Sequence, residues 1–171
     1  MSKKRIALIS TGGTFEKTYD ELHGVLDNHE SVLDVVLAGL ELRGVDIVRV
    51  PLLNKDSLKM TVRDHELIAR TAASLSEAHH GVVIVHGTDR LQVTGERMVQ
   101  LTPEPIVPIV FTGAIRPYML RNTDALQNLT EALIGVQILA PGIYCVMHNK
   151  ALQFPGVVKD KERGTFVRKD G

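Results

Sequence analysis

The sequence contains one cysteine, no tryptophan and few other aromatic residues, and its charges cancel. Because Cys145 stands alone, it can form neither a disulfide framework nor a thiolate metal cluster, which fits a reducing cytosol. Twenty basic residues balance twenty acidic ones, so no global charge favours nucleic acid or an anionic membrane as a partner. The seven histidines lack the spacing of a metal site. We therefore expect no metal and no other cofactor.

Long apolar runs are also missing from the sequence. The basic start Lys3-Lys4-Arg5 precedes only four apolar residues, Ile6–Ile9, whereas a signal peptide needs an apolar stretch of roughly 7 to 15 residues. No run approaches the roughly 18 apolar residues of a membrane-spanning helix. These absences predict a cytoplasmic protein that has no membrane partner.

The length of 171 residues and the hydrophobic content of 44% are enough for one domain with a substantial core, spanning residues 1–171. Short apolar runs alternate with amphipathic segments, which predicts strands at 5–10, 45–50, 82–85, 106–111 and 142–147 and helices at 31–43, 61–78, 91–101 and 126–136. Strands that are apolar throughout need both sheet faces covered. The predicted fold class is therefore α/β, with a doubly wound, mostly parallel five-stranded sheet in flavodoxin-like order.

Two segments fall outside this alternation. The polar stretch Phe15–Glu30 shows little periodicity and is predicted to be a long loop, of the kind that often forms a lid. Residues 150–171 hold short β-like pieces at Ala151–Phe154 and Thr165–Arg168. We expect them to form a small β-like C-terminal tail, irregular or hairpin in shape.

Two turns rich in small and hydroxyl-bearing residues follow predicted strands, one at residues 10–14 and one at residues 86–89. In parallel α/β sheets the loops at the carboxyl ends of the strands line the ligand crevice. A crevice rich in hydroxyl groups is therefore predicted along one edge of the sheet. The side chains that this rule places there are those of Thr14, Ser57, Thr88, Asp89 and Thr112.

These hydroxyl groups are candidates for nucleophilic catalysis. An alcohol is a poor nucleophile at neutral pH unless a base or a hydrogen-bond chain activates it. Gly12 and Gly13, before Thr14, would let backbone N–H groups approach a substrate carbonyl and form an oxyanion hole. A lysine could take the proton of Thr88, and Lys150, Lys159 and Lys161 all lie in the tail, so the tail would have to fold back.

Other interpretations of the same residues stay open at this point. A Gly-Gly-Thr turn after a first strand is also typical of phosphate binding, although neither G-x-G-x-x-G nor G-x-x-x-x-G-K-[ST] is present. Asp89 could simply cap the following helix. Tyr19, in the polar loop, could be a solvent-facing packing residue.

Taken together, four motifs resemble those of the bacterial-type L-asparaginases, in a short form that corresponds to the amino-terminal domain alone. They are Thr11-Gly12-Gly13-Thr14, Asp56-Ser57-Leu58-Lys59-Met60-Thr61, His86-Gly87-Thr88-Asp89 and Thr112-Gly113-Ala114-Ile115-Arg116-Pro117. The resemblance covers roughly residues 5 to 168, with the motifs in the family's order.

The resemblance implies hydrolysis of L-asparagine to L-aspartate and ammonia through a threonine acyl-enzyme. By motif position Thr14 is the nucleophile, Tyr19 its activating residue, and Thr88, Asp89 and Lys159 the second hydroxyl–carboxylate–amine set. Ser57 and Asp89 would hold the α-carboxylate and α-ammonium groups of the substrate. The full set implied for substrate binding is Gly13, Ser57, Leu58, Thr88, Asp89 and Thr112.

The sequence also departs from the family pattern. Members usually carry a second domain that helps to close the site of a neighbouring subunit, so we expect a more open pocket and a homo-oligomer, either dimer or tetramer. Leu58, Lys59 and Arg90 replace residues that are common in the family, which affects recognition of the substrate ammonium. The alternatives are a binding or regulatory domain without turnover, an amidase for another β-amide, or part of a tRNA-dependent amidotransferase. The last is disfavoured because no basic nucleic-acid face is evident.

Overall fold

A computed structural model describes residues 2–169 of the chain; residues 1, 170 and 171 of the predicted domain lie outside the described part. Its strands are β1 Lys4–Gly12, β2 Thr18–Asp20, β3 Val25–Asp27, β4 Val45–Lys55, β5 Gly81–Val85, β6 Pro108–Thr112, β7 Gly142–Met147, β8 Lys150–Gln153, β9 Val157–Asp160 and β10 Thr165–Arg168. Its α-helices are α1 Leu33–Ala38, α2 Val62–Ser76, α3 Leu91–Leu101 and α4 Ala125–Ile138. Two short 3-10 turns cover Thr14–Glu16 and Ser57–Lys59.

The central sheet has six strands in the order β4-β1-β5-β6-β7-β8. The first five are parallel, which confirms the predicted doubly wound α/β fold and its flavodoxin-like order. The predicted count of five strands needs one addition, because β8 comes from the tail and pairs antiparallel with β7. His148 and Asn149 reverse the chain between them with φ of 52° and 60°, the backbone of a type I′ hairpin turn.

The sheet separates two hydrophobic layers, and alternate residues of each inner strand face opposite layers. Ile9 and Ile84 belong to the layer under α2 and α3, whereas Leu8 and Val83 belong to the layer under α1 and α4. All residues of β5 and β6 are buried. Coverage of both faces explains why these strands are apolar throughout.

The predicted helices agree with the structure to different degrees. The predicted helix at 61–78 corresponds to α2, where Thr61 and Asp64 form a capping box in which each side chain accepts from the other's backbone N–H. The helix predicted at residues 31–43 is wrong in extent, since α1 covers only Leu33–Ala38 and has no side-chain cap. Ser31, the first residue of the predicted helix, lies outside α1; its hydroxyl group donates to the carboxylate of Glu16 and accepts from Leu33 N at 3.4 Å.

The segment Phe15–Glu30 is not the structureless loop that its composition predicts. After the 3-10 turn it forms an antiparallel hairpin of β2 and β3, in which Tyr19 pairs with Leu26. Gly24 has a φ of 65°, and the Asp20 carboxylate accepts hydrogen bonds from two backbone N–H groups of the turn. Three-residue strands are too short to show an alternating pattern in the sequence, which is why periodicity does not predict this hairpin.

The expected β-like tail supplies β8 and a second hairpin, made of β9 and β10. This hairpin has no backbone pairing with the central sheet, but Val157 and Phe166 are each 1% exposed and belong to the core layer under α2 and α3. Within residues 2–169, no helix has the length and apolar character that a membrane crossing requires.

Candidate active site

The turns after β1 and β5 are in direct contact. Gly12 and Gly13 have φ of 97° and 75°, a conformation that favours glycine. A Cβ atom at Gly13 would lie 2.5 Å from the backbone N of Gly87, so only a residue without a side chain allows this approach. Thr14 follows at the start of the 3-10 turn and is half-buried. The structure thus brings the two predicted hydroxyl-bearing turns together.

The side chain of Lys159, which belongs to β9, reaches the turn after β5. Its Nζ donates hydrogen bonds to Thr88 Oγ1 at 2.9 Å and to Asp89 Oδ1 at 2.7 Å. The tail therefore folds back as the proposed chemistry requires. Of the other tail lysines, Lys150 instead donates to the carbonyl oxygen of Phe166 at 2.7 Å. The Lys159 side chain is 14% exposed and that of Asp89 is 39% exposed, so the carboxylate remains open to the crevice.

Ser57 packs against the same turn from the loop after β4. It is 1% exposed, and a Cβ atom at Gly87 would lie 2.6 Å from its Oγ. The Oγ atom accepts a hydrogen bond from the Arg90 backbone N–H at 3.3 Å. Asp56 caps the short turn by accepting from Leu58 N at 3.0 Å. The Leu58 side chain is 59% exposed.

Two predicted residues are placed differently from the expectation, and one alternative interpretation is excluded. Thr112 is fully buried, and its hydroxyl donates to the Asn128 carbonyl at 3.3 Å, so it does not line the crevice. Tyr19 lies on β2, is 54% exposed, and its hydroxyl points towards Gly24 at the end of the hairpin. The cap of α3 is Arg90, without a side-chain hydrogen bond, so the interpretation of Asp89 as a helix cap is wrong.

Residues 5–165 match the family model described as "Asparaginase, N-terminal". The chain belongs to the asparaginase N-terminal family. The resemblance that the four motifs carry is thereby confirmed.

Two kinds of enzyme name occur among the curated relatives of this asparaginase-family chain. An L-asparaginase from Thermococcus kodakarensis is 30% identical over 150 residues, which cover 86% of this chain and 45% of the relative. A component of the glutamyl-tRNA(Gln) amidotransferase from Haloquadratum walsbyi is 30% identical over 167 residues, which cover 96% of this chain and 37% of the relative. The chain thus spans less than half the length of these two relatives.

Solved structures agree with the fold of the asparaginase-family chain. The thermostable L-asparaginase from Thermococcus kodakarensis superposes with a TM-score of 0.85 at 29% identity, covering 96% of this chain and 51% of that one. A probable cytoplasmic L-asparaginase from Campylobacter jejuni gives a TM-score of 0.79 at 32% identity, covering 92% and 50%. The likeness is therefore to one half of each of these structures.

The asparaginase-family site also contains a buried hydrogen-bond chain that the sequence did not reveal. His86 bonds through Nδ1 to the Gly87 carbonyl at 2.8 Å and through Nε2 to Thr94 Oγ1 at 2.7 Å, and Thr94 Oγ1 lies 2.6 Å from His65 Nδ1. Burial lowers the pKa of His86 to about 4, so the ring is neutral at pH 7 and supports the turn without adding charge. The only signal in the sequence is that His65 and Thr94 fall on the buried faces of α2 and α3.

A second unpredicted residue is Glu16, which the sequence places in a polar loop. It is 1% exposed and accepts hydrogen bonds from Gly12 N at 3.2 Å and from Ser31. Burial raises the pKa of its carboxyl, although the Ser31 hydrogen bond and the charge of Arg49 partly oppose the shift. Glu16 thus fixes the backbone of the glycine pair immediately before Thr14.

The Thr88 hydroxyl, the Lys159 amine and the Asp89 carboxylate form one hydrogen-bonded set. The second hydroxyl, that of Thr14, lies on the adjoining turn. Such a set can relay protons to and from an attacking or leaving group. The chemistry that these side chains themselves can support is acyl transfer. Within residues 2–169, no group of three or more histidine, cysteine, aspartate or glutamate side chains could hold a metal ion.

Proposed function

We propose that this chain is an amidohydrolase that converts L-asparagine to L-aspartate and ammonia. The observation that carries this proposal is the double hydrogen bond of Lys159 to Thr88 and Asp89, beside the turn that presents Thr14. A domain that only bound an amino acid would have no need for a hydroxyl–amine pair next to a second hydroxyl. Membership of the asparaginase N-terminal family supports the same class of reaction.

In the proposed mechanism the Thr14 hydroxyl oxygen attacks the side-chain amide carbon of the substrate. Its proton passes to the departing nitrogen, and ammonia leaves as the C–N bond breaks. The β-aspartyl ester on Thr14 is then attacked by water, whose proton is taken up through Thr88 and Lys159. Restoring the proton to Thr14 releases aspartate, so atoms and charges balance over the cycle.

The substrate groups find complementary partners at the edge of this site. Because Ser57 Oγ accepts from the Arg90 backbone N–H, its own hydrogen remains available to donate to the substrate α-carboxylate. Asp89 uses Oδ1 for Lys159, which leaves Oδ2 for the α-ammonium group. Backbone at Gly13 and the exposed Leu58 would complete the binding surface.

The test is release of ammonia from L-asparagine by the wild type and by Thr14→Ala, Thr88→Ala and Lys159→Met. We expect Thr14→Ala to lose at least about a thousandfold in kcat, and the other two about a hundredfold or more. Thr130→Ala is the matched control, because that hydroxyl lies exposed on α4 and donates only to the Leu126 carbonyl. Full activity of both Thr14→Ala and Thr88→Ala would refute the mechanism.

A second candidate function is hydrolysis of glutamine as one component of an amidotransferase. The observation in its favour is the 30% identity to the Haloquadratum walsbyi amidotransferase component over 96% of this chain. One methylene group changes binding by only about 1 to 3 kcal/mol, so kcat/KM must be measured for both amides. A preference for glutamine would support this candidate. Calorimetric binding of asparagine without ammonia release would instead favour the binding or regulatory domain.

A further inference from the structure

Lys159 is carried by a hairpin that lies outside the central sheet. The hairpin of β9 and β10 shares no backbone ladder with the other strands, so side-chain contacts fix its position. Lys159 on β9 is paired with Phe166 on β10, and Thr165 precedes that partner. Burial of Phe166 and its hydrogen bond from Lys150 hold this pair on one side, and the contacts of Thr165 hold the hairpin at the adjacent position.

Thr165 is held by His148, the first residue of the turn between β7 and β8. His148 Nδ1 lies 3.0 Å from Thr165 Oγ1, and His148 Nε2 lies 2.7 Å from Asp124 Oδ2. The backbone of His148 has a φ of 52°, an uncommon value for a residue with a side chain. Such a conformation persists only where surrounding contacts stabilise it.

The direction of these hydrogen bonds follows from the ionisation of Asp124. Burial raises the pKa of Asp124, but hydrogen bonds from the backbone N–H groups of Ile115 and Arg116 and from His148 outweigh that effect and hold the pKa below its usual value. The ionised carboxylate can only accept, so His148 Nε2–H donates to it. The other ring nitrogen, Nδ1, faces the Thr165 hydroxyl group.

Asp124 and the buried side chain of Asn128, which donates to it at 3.0 Å, also connect His148 to the turn that carries Thr88. Asp124 accepts from Ile115 N and Arg116 N at 2.8 to 3.1 Å, and Asn128 Nδ2 donates to the Gly113 carbonyl at 2.9 Å. Gly113 packs on the turn after β5, because a Cβ atom there would lie 3.4 Å from Thr88 Cγ2. Together, His148, Asp124 and Asn128 thus connect the hairpin that carries Lys159 to the backbone that packs beside Thr88.

We infer that His148 is a positioning residue for the Lys159–Thr88 pair, acting through its bridge between Asp124 and Thr165. This inference rests on the proposed function in so far as Lys159 takes part in catalysis. His148 itself touches neither Lys159 nor Thr88, so its effect is on their geometry. A displacement of about 1 Å at such a pair lowers a rate by roughly a hundredfold.

The experiment measures kcat and KM for asparagine in His148→Asn, Thr165→Val and Thr165→Ser. Asparagine tolerates the left-handed backbone at position 148 but does not reproduce the ring bridge. We expect His148→Asn and Thr165→Val to lower kcat roughly tenfold to a hundredfold with KM little changed, and Thr165→Ser to retain activity because it keeps the hydroxyl. Asn149→Gly is the control within the same turn, since glycine accepts its φ of 60°.

A second measurement is independent of turnover. Mass spectrometry would follow the rate at which limiting acetic anhydride modifies Lys159, whose side chain is 14% exposed. His148→Asn and Thr165→Val should raise that rate severalfold, whereas Asn149→Gly should not. In a Lys159→Met background, His148→Asn should cause no further loss of kcat.

The outcomes separate the two proposals. If the wild type hydrolyses neither amide but Lys159 becomes more reactive in His148→Asn and Thr165→Val, the proposed function fails and the positioning role stands. If neither kcat nor the reactivity of Lys159 changes in these variants, the positioning role is overturned. An equal response to Asn149→Gly would also overturn it, because the turn rather than the ring bridge would then be responsible.

Discussion

At the scale of single residues, the site depends on close backbone contact between two turns. A Cβ atom at Gly13 would overlap the backbone of Gly87, and one at Gly87 would overlap Ser57, so neither position has room for a side chain. Behind Gly87, the neutral ring of His86 bonds to its carbonyl, and in front of it Ser57 packs with its hydroxyl group directed at the same turn. The backbone of the two turns is therefore supported by buried, uncharged neighbours.

His86 predicts how stability depends on pH. The pKa of His86 is about 4 in the folded chain and 6.5 in the unfolded chain, so below pH 6.5 the unfolded state binds the proton more readily. The stabilisation is fully present above pH 6.5 and is lost as the pH falls towards 4, by about 3 kcal/mol in total. Urea unfolding at pH values between 7 and 4 measures this loss.

The comparison for that measurement is His86→Gln, which removes the titrating ring. Burial also lowers the pKa of His65, and burial raises the pKa of Glu16, so other groups contribute to the pH dependence in opposite directions. These groups are present in both proteins, so the difference between the two slopes of unfolding free energy against pH is due to His86. Equal slopes for the wild type and His86→Gln would contradict a pKa near 4.

At the scale of helices and strands, two helical glycines differ in how much room their neighbours leave for a side chain. In α3, a Cβ atom at Gly95 would overlap the ring of Phe154, with Cε2 only 2.7 Å away. In α4, a Cβ atom at Gly135 would lie 3.4 Å or more from its neighbours, including Val146. Glycine inside a helix costs roughly 0.5 to 1 kcal/mol relative to alanine, so only at Gly95 does packing oppose the substitution.

Gly135→Ala should therefore increase the free energy of unfolding by about 0.5 to 1 kcal/mol. Gly95→Ala should decrease it by about 1 to 3 kcal/mol, because the Phe154 ring would have to move within a packed core. Chemical denaturation of the two variants beside the wild type checks both signs at once. Stabilisation by Gly95→Ala would show that α3 and the Phe154 ring are less tightly packed than in this structure.

The same scale shows which elements can be predicted from sequence. The five parallel strands and the capping box of α2 follow from local patterns, namely apolar runs and a Thr–Asp spacing. The pairing of β8 with the central sheet and the hairpin of β2 and β3 could not be found in this way, because both depend on turns without an Asn-Gly or Asp-Gly signal. α1 is shorter than its pattern mainly at its C-terminal end, where Gly39 is the C-cap; at its N-terminal side Ser31 bonds to Glu16, 15 positions earlier in the chain.

The candidate site, too, can be predicted from the sequence only in part. Strand-end rules place Thr14, Thr88 and Asp89 at one edge of the sheet, and the structure brings their turns together. Lys159 is distinguished from the other tail lysines only by family resemblance, since no local pattern shows that a hairpin folds back. The inward hydroxyl of Thr112 and the chain from His86 to His65 depend on tertiary packing, which periodicity does not encode.

At the scale of the whole molecule, the described residues form the fold of the amino-terminal half of the L-asparaginases with solved structures. That residues 1–171 act as a single domain, that the protein is cytoplasmic, and that it forms a homo-oligomer stay predictions. Sedimentation velocity of the wild type checks the last of these. The central claim is independent of all three, because Thr14, Thr88, Asp89 and Lys159 belong to one chain.

The most direct test of the central claim is to identify the residue that is acylated. Wild-type protein is mixed with asparagine or glutamine, quenched in acid during turnover, digested and analysed by mass spectrometry. We expect an aspartyl or glutamyl ester on Thr14, absent from Thr14→Ala, because in the proposed mechanism Thr88 and its partner Lys159 only take up the proton of the attacking water. An ester on Thr88, or ammonia release at the wild-type rate by Thr14→Ala, would contradict the assignment of Thr14 as the nucleophile.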